Sequence, residues 1–309
     1  MEKNKRVAVV MGGPSAERDI SLLTGQAIVD ALKSKDYDVV GIDIEPHRIS
    51  EQLRDAQASI VFNATHGLYG EDGKLQGVLE MMGMPYTGSG VLASAVAMDK
   101  VATKRIFQSS NVSTPDSLIL RVEEKENFAA ILTKFQLPIV VKPASQGSSI
   151  GVVIVKKAEE LTAALDEAFI YDKEVLIEEF IEGKELTVAV MELEGKVTAL
   201  PIINIVPHSG VYDYKSKYTK GETEYIVPAL LDEATTNKVQ ETAVLAYKAL
   251  GCAGVARADI ILDAEGRIYV LELNTVPGMT ATSLVPKAAA AIGISFPDLC
   301  ETILMTAVK

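Results

Sequence analysis

The arrangement of apolar segments changes near residue 185, and this change limits the folds open to the chain. Before it, short apolar runs such as RVAVVM (6–11) and ASIVFN (58–63) alternate with segments whose apolar residues recur at helical spacing. After it, ELTVAVMEL, a turn at Glu194-Gly195 and KVTALPIINIV are typical of a β-hairpin. We therefore predict an open α/β unit with a parallel sheet over the first ~90 residues and antiparallel hairpins after residue 185.

The length of 309 residues suits two or three domains rather than one core. The order of segments favours three domains of α/β and α+β type. Residues 1–88 would form an N-terminal open parallel α/β domain, residues 89–183 a central domain, and residues 184–309 a C-terminal domain.

The formal net charge of −12 works against binding to nucleic acid or anionic lipid, so an anionic ligand needs local cations and backbone amides. The only two cysteines, Cys252 and Cys300, are too few for a disulfide framework and lack metal-ligand spacing. The chain begins with a strand pattern instead of a signal peptide, and no apolar run is long enough to span a bilayer. We expect a cytoplasmic protein.

Polar side chains interrupt the apolar hairpin RADIILDAEGRIYVLELN, which runs from Arg257 to Asn274. Residues two apart on a strand share a face, so Glu272 and Asn274 point the same way, and an antiparallel neighbour can place Asp259 beside them. Oxygen ligands without His or Cys suit Mg²⁺. In the alternative, Asp259 caps a turn and Glu272 pairs with Arg257.

Two loops carry further candidates for binding an anion or an ammonium group. Lys142 ends an apolar strand before the small residues of PASQGSS (143–149), whose backbone amides can cradle phosphate, although an ordinary hairpin turn also explains them. MGGPSAERDIS and THGLYGEDG follow strands of the N-terminal domain, where open α/β sheets bind ligands. Glu17 lies there beside a helix start, and His66 is either a catalytic residue or a hydrogen-bonded loop histidine.

The dinucleotide fingerprint has a weak match at Gly88-x-Gly90-x-x-Ala93. It lacks a proper preceding strand, and no acidic residue ends a strand about twenty positions on. We reject a nicotinamide cofactor.

Several long blocks resemble known sequences: GGPSAERDIS, HGLYGEDGKLQGVLEMMGMPYTGSGVLASAVAMDK, VKPASQGSSIGV, YDYKSKY and ELNTVPGMTATSLVP. Together they resemble the ATP-grasp superfamily and, more closely, the D-alanine:D-alanine ligase family. The resemblance covers nearly the whole chain in the right order, although residues 45–58 and 121–136 match no pattern. It implies a three-domain ATP-grasp architecture.

The resemblance implies that ATP lies between the central and C-terminal domains. Lys100 and Lys142 would contact its phosphates, together with Lys217 of a lid loop, residues 207–225. The remaining nucleotide contacts would come from Ser148, Glu178, Glu179, Ile181 and Glu185. The metal set Asp259, Glu272 and Asn274 would hold two Mg²⁺ ions, with Mn²⁺ as a substitute.

The family's reaction joins two D-alanines through an acyl phosphate, for peptidoglycan synthesis. By resemblance, Glu17 holds the first ammonium group and is linked by hydrogen bonds to Ser148 and Tyr218. Arg257 and the amide of Gly278 would form the oxyanion hole. The second carboxylate would bind Ser283 and Leu284, and His66 would lie near the first substrate.

The polar stretch 207–225 is typical of a lid rather than a disordered insertion, because it contains the tyrosines Tyr212, Tyr214 and Tyr218. Tyr218 resembles the dipeptide-forming ligases rather than the D-alanine:D-lactate type.

Other functions remain open at this point. They are another ATP-grasp carboxylate–amine ligase and a noncatalytic nucleotide-binding module. The expected partners are D-alanine and ATP, without nucleic acid or membrane, in a homodimer.

Overall fold

The N-terminal part of the chain folds into a small parallel sheet. In this computed structural model, the residues described are 5–124, 128–210, 212, 216, 219 and 221–307. The first elements are β1 (Val7–Met11), α1 (Arg18–Lys33), β2 (Val39–Asp43), α2 (Ile49–Asp55), β3 (Ile60–Asn63) and α3 (Lys74–Met81). The strand order is β2-β1-β3, and both pairings are parallel. The predicted parallel sheet is confirmed, and β1 is buried along its whole length as its apolar sequence requires.

The middle of the chain forms an antiparallel sheet of order β4-β7-β5-β6. Its elements are α4 (Val91–Met98), α5 (Lys100–Ser109), β4 (Ser117–Arg121), α6 (Phe128–Lys134), β5 (Ile139–Pro143), β6 (Val153–Val155), α7 (Leu161–Tyr171) and β7 (Glu174–Glu179). The strand predicted over 150–156 is shorter than expected. Ser148, Ser149 and Gly151 have positive φ angles of 50°, 58° and 70°, which an extended strand cannot accommodate, so the loop continues to residue 152.

The C-terminal part contains a larger antiparallel sheet of order β11-β10-β8-β12-β13, with β9 also paired to β8. Its elements are β8 (Gly183–Leu193), β9 (Lys196–Ala199), β10 (Ile203–Pro207), β11 (Thr223–Ile226), α8 (Glu233–Ala249), β12 (Val255–Asp263) and β13 (Ile268–Asn274), followed by helices α9 (Leu284–Ala290) and α10 (Phe296–Thr306). The predicted hairpin is confirmed, but its second strand divides into β9 and β10 around Pro201, which has no N–H to donate.

The parallel sheet and the C-terminal sheet share one hydrophobic core. Val9 and Ile28 from the N-terminal part pack in the same buried cluster as Met191, Leu299 and Ile303. This shared core holds the loops after β1 and β3 against the hairpin formed by β12 and β13.

An ion-pair network reinforces this contact at the protein surface. The Lys35 ammonium lies 2.5 Å from Asp298 and also pairs with Glu301 on α10. The Tyr37 hydroxyl donates to Glu301 over 2.8 Å. The end of α1 is therefore fixed to the C-terminal helix.

No helix within the described ranges is both long and apolar enough to cross a membrane. The domain boundaries at residues 88 and 183 stay a prediction.

Candidate active site

A cavity of about 320 Å³ lies where the N-terminal loops, the loop after β5 and the β12–β13 hairpin meet. Its walls therefore combine residues that are far apart in sequence. They include Glu17, His66, Glu71, Gly147, Ser148, Tyr212, Tyr225, Arg257, Glu272, Asn274, Gly278, Ser283 and Leu284.

The β12–β13 hairpin brings the predicted metal set together. Asp259 lies opposite Glu272 in the antiparallel register, and the Asn274 amide donates to Asp259 over 3.1 Å. Arg257 donates two hydrogen bonds to Asp259, at 2.9 and 2.8 Å. The alternative from the sequence paired Arg257 with Glu272, whereas the structure pairs Arg257 with Asp259 and places Glu272 3.4 Å from Lys100.

The donor chemistry of this set fits a hard cation. Asp259 and Glu272 supply carboxylate oxygens and Asn274 an amide oxygen, all on one hairpin beside the cavity. Among the residues with described positions, no cluster of three or more His, Cys, Asp or Glu side chains is arranged to hold a metal. Two carboxylates with one amide suit an ion such as Mg²⁺ that takes the rest of its ligands from water or phosphate. The assignment stays a prediction.

Arg257 is held in its charged form by its neighbour. Burial acts to lower the pKa of Arg257, but the Asp259 carboxylate outweighs it, so the pKa is raised above its ordinary value. Because the side chain also lines the cavity, the site contains a fixed positive charge.

A buried ion triad lies beside the predicted nucleotide position. Glu178 pairs with Lys142 at 2.7 Å and with Lys104 at 2.8 Å. Burial acts to raise the pKa of Glu178, but the two lysines outweigh it and hold the pKa below its ordinary value. Burial lowers the pKa of Lys104 to about 8 despite the attraction of Glu178. The triad fixes the carboxylate that in turn orients Lys142.

Lys100 connects the small-residue loop to the acidic hairpin. Its ammonium donates to the carbonyl of Gln146 over 2.6 Å and lies 3.4 Å from Glu272. A smaller cavity of about 30 Å³ lies beside these residues and shares Glu71, Gly147, Glu272 and Asn274 with the larger one. Lys100 lines the smaller cavity, so it is placed to contact an anion there.

The loop after β5 closes against the start of α1. The Ser148 hydroxyl donates a hydrogen bond to Glu17, the residue just before α1. A Cβ added at Gly147 would lie 2.9 Å from Glu17 Oε2, so glycine allows this close approach. The structure therefore brings Ser148 and Glu17 together, while Lys217 and Tyr218 lie outside the described residues.

The remaining predicted residues lie in two places. Gly278, Ser283 and Leu284 line the larger cavity, and Ser283 precedes the first turn of α9. Glu179, Ile181 and Glu185 are half-buried along the β7–β8 connection.

Comparison with known proteins identifies the family. The family model described as "D-ala D-ala ligase C-terminus" matches residues 111–305, and "D-ala D-ala ligase N-terminus" matches residues 6–54 and 45–89. The D-alanine--D-alanine ligase of Pelotomaculum thermopropionicum is 47% identical over 98% of this chain and 97% of its own length. The chain belongs to the D-alanine–D-alanine ligase family.

Solved structures support the same family and fold. The D-alanine--D-alanine ligase from Bacillus anthracis complexed with ATP has a TM-score of 0.86 and 37% identity, covering 98% of this chain and 97% of that one. The VanG D-Ala:D-Ser ligase from Enterococcus faecalis has a TM-score of 0.84 and 30% identity, covering 98% and 99%. The predicted ATP-grasp fold is confirmed.

Reasoning from the sequence missed two residues of this ligase-family site, one buried and one half-buried. Lys104 is buried, and only its pairing with Glu178 reveals its place. Glu71 accepts hydrogen bonds from the amides of Gly67 at 2.7 Å and Val276 at 3.2 Å. Burial raises the pKa of Glu71 to about 8, with a smaller contribution from the nearby Glu17 carboxylate. The signal available in the sequence was the pair of acidic residues, Glu71 and Asp72, within THGLYGEDG.

Glu71→Gln is expected to flatten the pH dependence of stability in the ligand-free protein. The pKa of Glu71 rises from its ordinary 4.5 to about 8 on folding, so the folded state binds a proton that the unfolded state releases between these values. The wild-type free energy of unfolding should therefore fall as pH rises through this window, and the nontitrating glutamine should remove that contribution. Urea unfolding at several pH values between about 5 and 9 measures the slope.

Asp72→Asn is the matched control, because Asp72 lies in the same loop and accepts from the amides of Tyr69 and Lys74. It should keep the wild-type slope. An unchanged slope in Glu71→Gln would rule out Glu71 as the titrating group.

Proposed function

We propose that this family member joins two D-alanines into D-alanyl-D-alanine with ATP, for peptidoglycan precursor synthesis. The observation that carries the proposal is a single cavity in which Glu17, bonded to Ser148, faces Arg257 and Gly278 beside the acidic hairpin. An ammonium-binding carboxylate, a cationic oxyanion site and a phosphate region are the parts that such a ligation needs.

ATP would bind along Lys100 and Lys142, with its adenine and ribose toward Glu178, Glu179, Ile181 and Glu185. Glu178 supports this placement, since it orients Lys142 through a 2.7 Å ion pair. Asp259, Glu272 and Asn274 would hold two Mg²⁺ ions, which when bound neutralise triphosphate charge. The described lid residues Tyr212 and Tyr225 line the cavity. The family resemblance alone assigns Lys217 to the phosphates and Tyr218 to the substrate.

The first step would form an acyl phosphate. A carboxylate oxygen of the first D-alanine attacks the γ-phosphorus of ATP, the bond to ADP breaks, and ADP leaves with the electron pair. Glu17 would hold the ammonium group of this D-alanine, which aims its carboxylate at the phosphates. The site would have to exclude water at this stage, because water would otherwise hydrolyse the acyl phosphate.

The second step would form the peptide bond. The amine of the second D-alanine, after losing a proton, attacks the acyl carbon, and the tetrahedral intermediate expels phosphate. Arg257 and the Gly278 amide would stabilise its oxyanion. Ser283 and Leu284, at the start of α9, would bind the second carboxylate.

The identity of the second substrate is the most specific claim of the proposal. It needs its own test, because one structural relative is named a D-Ala:D-Ser ligase. We assign D-alanine here, with D-serine and D-lactate as the alternatives. The test supplies ATP, Mg²⁺ and D-alanine, alone or with equimolar D-serine or D-lactate, and identifies products by mass spectrometry.

ADP and phosphate should appear in equal amounts with D-alanyl-D-alanine, and only when D-alanine is present. ATP turnover without an amino acid, or a product dominated by the ester or the mixed dipeptide, would refute the proposal.

We further propose a cytoplasmic homodimer whose three domains span residues 1–88, 89–183 and 184–309. Met81 on α3 and Leu92 on α4 support an interface, because their exposures of 92% and 76% leave large apolar side chains in water. Sedimentation velocity gives the assembly state.

A further inference from the structure

The backbone around Gly278 is held at three points by side chains from the N-terminal part of the chain. Glu71 accepts from the amide of Val276 at 3.2 Å, and the His66 ring bonds the carbonyl of Val276 at 2.9 Å. Thr24 Oγ1 accepts from the amide of Met279 at 3.5 Å. These contacts bracket Gly278 on both sides.

The hydrogen bonds around His66 have only one consistent direction when the ring is neutral. The Val276 carbonyl can only accept, so His66 Nδ1 carries the proton and donates. His66 Nε2 then accepts from the Thr24 hydroxyl, 3.1 Å away. Burial lowers the pKa of His66, which favours this neutral form. Since both ring nitrogens are engaged, His66 serves to hold the backbone rather than to transfer protons.

The same contacts connect the Gly278 segment to the residue expected to hold the first substrate. Thr24 is fully buried on α1, and Glu17 lies seven positions earlier, just before that helix begins. Glu71 also accepts from Gly67, where a Cβ would come within 2.8 Å of Glu17 Oε2. A rigid helix and one loop therefore fix the distance from Glu17 to Gly278.

We propose that Thr24, His66 and Glu71 are positioning residues that aim the Gly278 amide at the oxyanion of the tetrahedral intermediate. This inference rests on the proposed function, because the oxyanion role of Gly278 belongs to it. We call the contacts of Thr24, His66 and Glu71 with the Gly278 segment the backbone clamp. The proposal gives His66 a role in this clamp and adds Thr24 and Glu71 to the residues on which turnover depends.

Thr24→Val tests the clamp, because valine keeps the shape of threonine while removing the hydroxyl, and Thr24 is buried beneath the site. We expect kcat to fall roughly 10- to 100-fold, the loss typical of a slightly misplaced catalytic group. Affinity for a phosphinate isostere of the dipeptide, measured with ADP present, should fall by a similar factor. KM for ATP should stay within about twofold, and Thr24→Ser should restore kcat.

Thr103→Val is the matched control. Thr103 is also a buried helical threonine, and its hydroxyl donates a 2.7 Å hydrogen bond to the Val96 carbonyl. This hydrogen bond does not involve the Gly278 segment. It should leave phosphinate affinity unchanged. Glu71→Gln is a second, independent variant, because both carboxyl oxygens of Glu71 accept from backbone amides, whereas glutamine has one acceptor oxygen and an NH₂ group that cannot accept. It should also weaken phosphinate binding.

Three outcomes overturn the inference. Wild-type phosphinate affinity in both Thr24→Val and Glu71→Gln would show that these residues do not position the Gly278 amide. An equal loss in Thr103→Val would reduce the effect to general destabilisation. A wild-type protein that makes no D-alanyl-D-alanine would remove the proposed function and the clamp together, whereas an active wild type with unaffected variants would remove the clamp alone.

Discussion

Glu272→Gln is expected to abolish turnover while leaving the fold intact. Glu272 is a carboxylate near the end of β13, opposite Asp259 and 3.4 Å from Lys100. It would therefore connect the proposed metal set to the lysine proposed to contact the phosphates. An amide of the same shape keeps the packing but removes the charge that, on the proposed assignment, would hold Mg²⁺ against the triphosphate. The expected loss is roughly 4 kcal/mol of transition-state stabilisation, about a thousandfold in kcat.

Two measurements separate this effect from misfolding. Dipeptide formation at saturating Mg²⁺ reports catalysis, and Mn²⁺ binding in the presence of a nonhydrolysable ATP analogue reports the metal site. Glu265→Gln is the matched control, because Glu265 lies in the turn of the same hairpin and its side chain is exposed. It should behave as wild type. Near-normal turnover in Glu272→Gln at high Mg²⁺ would exclude Glu272 as a metal ligand.

Local patterns in the sequence were enough to predict most of the fold. Alternating apolar runs and glycine turns indicate β1 to β3, and the Glu194-Gly195 turn indicates the β8–β9 hairpin. In both cases the controlling interactions lie within one strand–turn unit. The division of the second hairpin strand was missed. It depends on tertiary pairing, because β9 before Pro201 and β10 after it pair with different parts of β8.

Contacts between residues far apart in sequence are the part of the site that the sequence could not predict. Residues 257–274 are close in sequence, so the convergence of Asp259, Glu272 and Asn274 follows from strand spacing. Val276 and Glu71 are 205 positions apart, and no periodicity in either segment predicts their hydrogen bond. The sequence around Lys104 is that of an ordinary helical lysine, and only the fold buries it against Glu178.

The site must balance its charges locally because the chain as a whole carries −12. Glu17, Glu71 and Glu272 line the cavity, and Asp259 lies opposite Glu272 on the hairpin. An anionic nucleotide would be repelled by these carboxylates without nearby cations. Lys100 lies at the edge of this acidic region, and Arg257 lies within it. Losing Arg257 should therefore affect the site more than losing any surface arginine.

Arg257→Met is expected to lower kcat by about a thousandfold or more, since the charged group proposed to stabilise the oxyanion is removed. Methionine fills the space of the aliphatic stem but cannot donate the 2.9 and 2.8 Å hydrogen bonds to Asp259. The Asp259 carboxylate is then left without its ion pair, so the ligand-free protein should lose about 1–3 kcal/mol of stability. Arg257→Lys keeps the charge but not the two-pronged geometry, so its kcat should be intermediate.

The decisive comparison is between binding of the phosphinate isostere and binding of ATP. Loss of an oxyanion partner should weaken the phosphinate by a factor close to the fall in kcat and leave KM for ATP within a few-fold. Arg267→Met is the control, because Arg267 lies in the same hairpin with its side chain 64% exposed and pairs with Asp263. It should retain turnover, since an exposed ion pair contributes little. If Arg257→Met weakened ATP and the phosphinate equally, Arg257 would be holding the nucleotide or the fold, and the oxyanion would depend on the Gly278 amide alone.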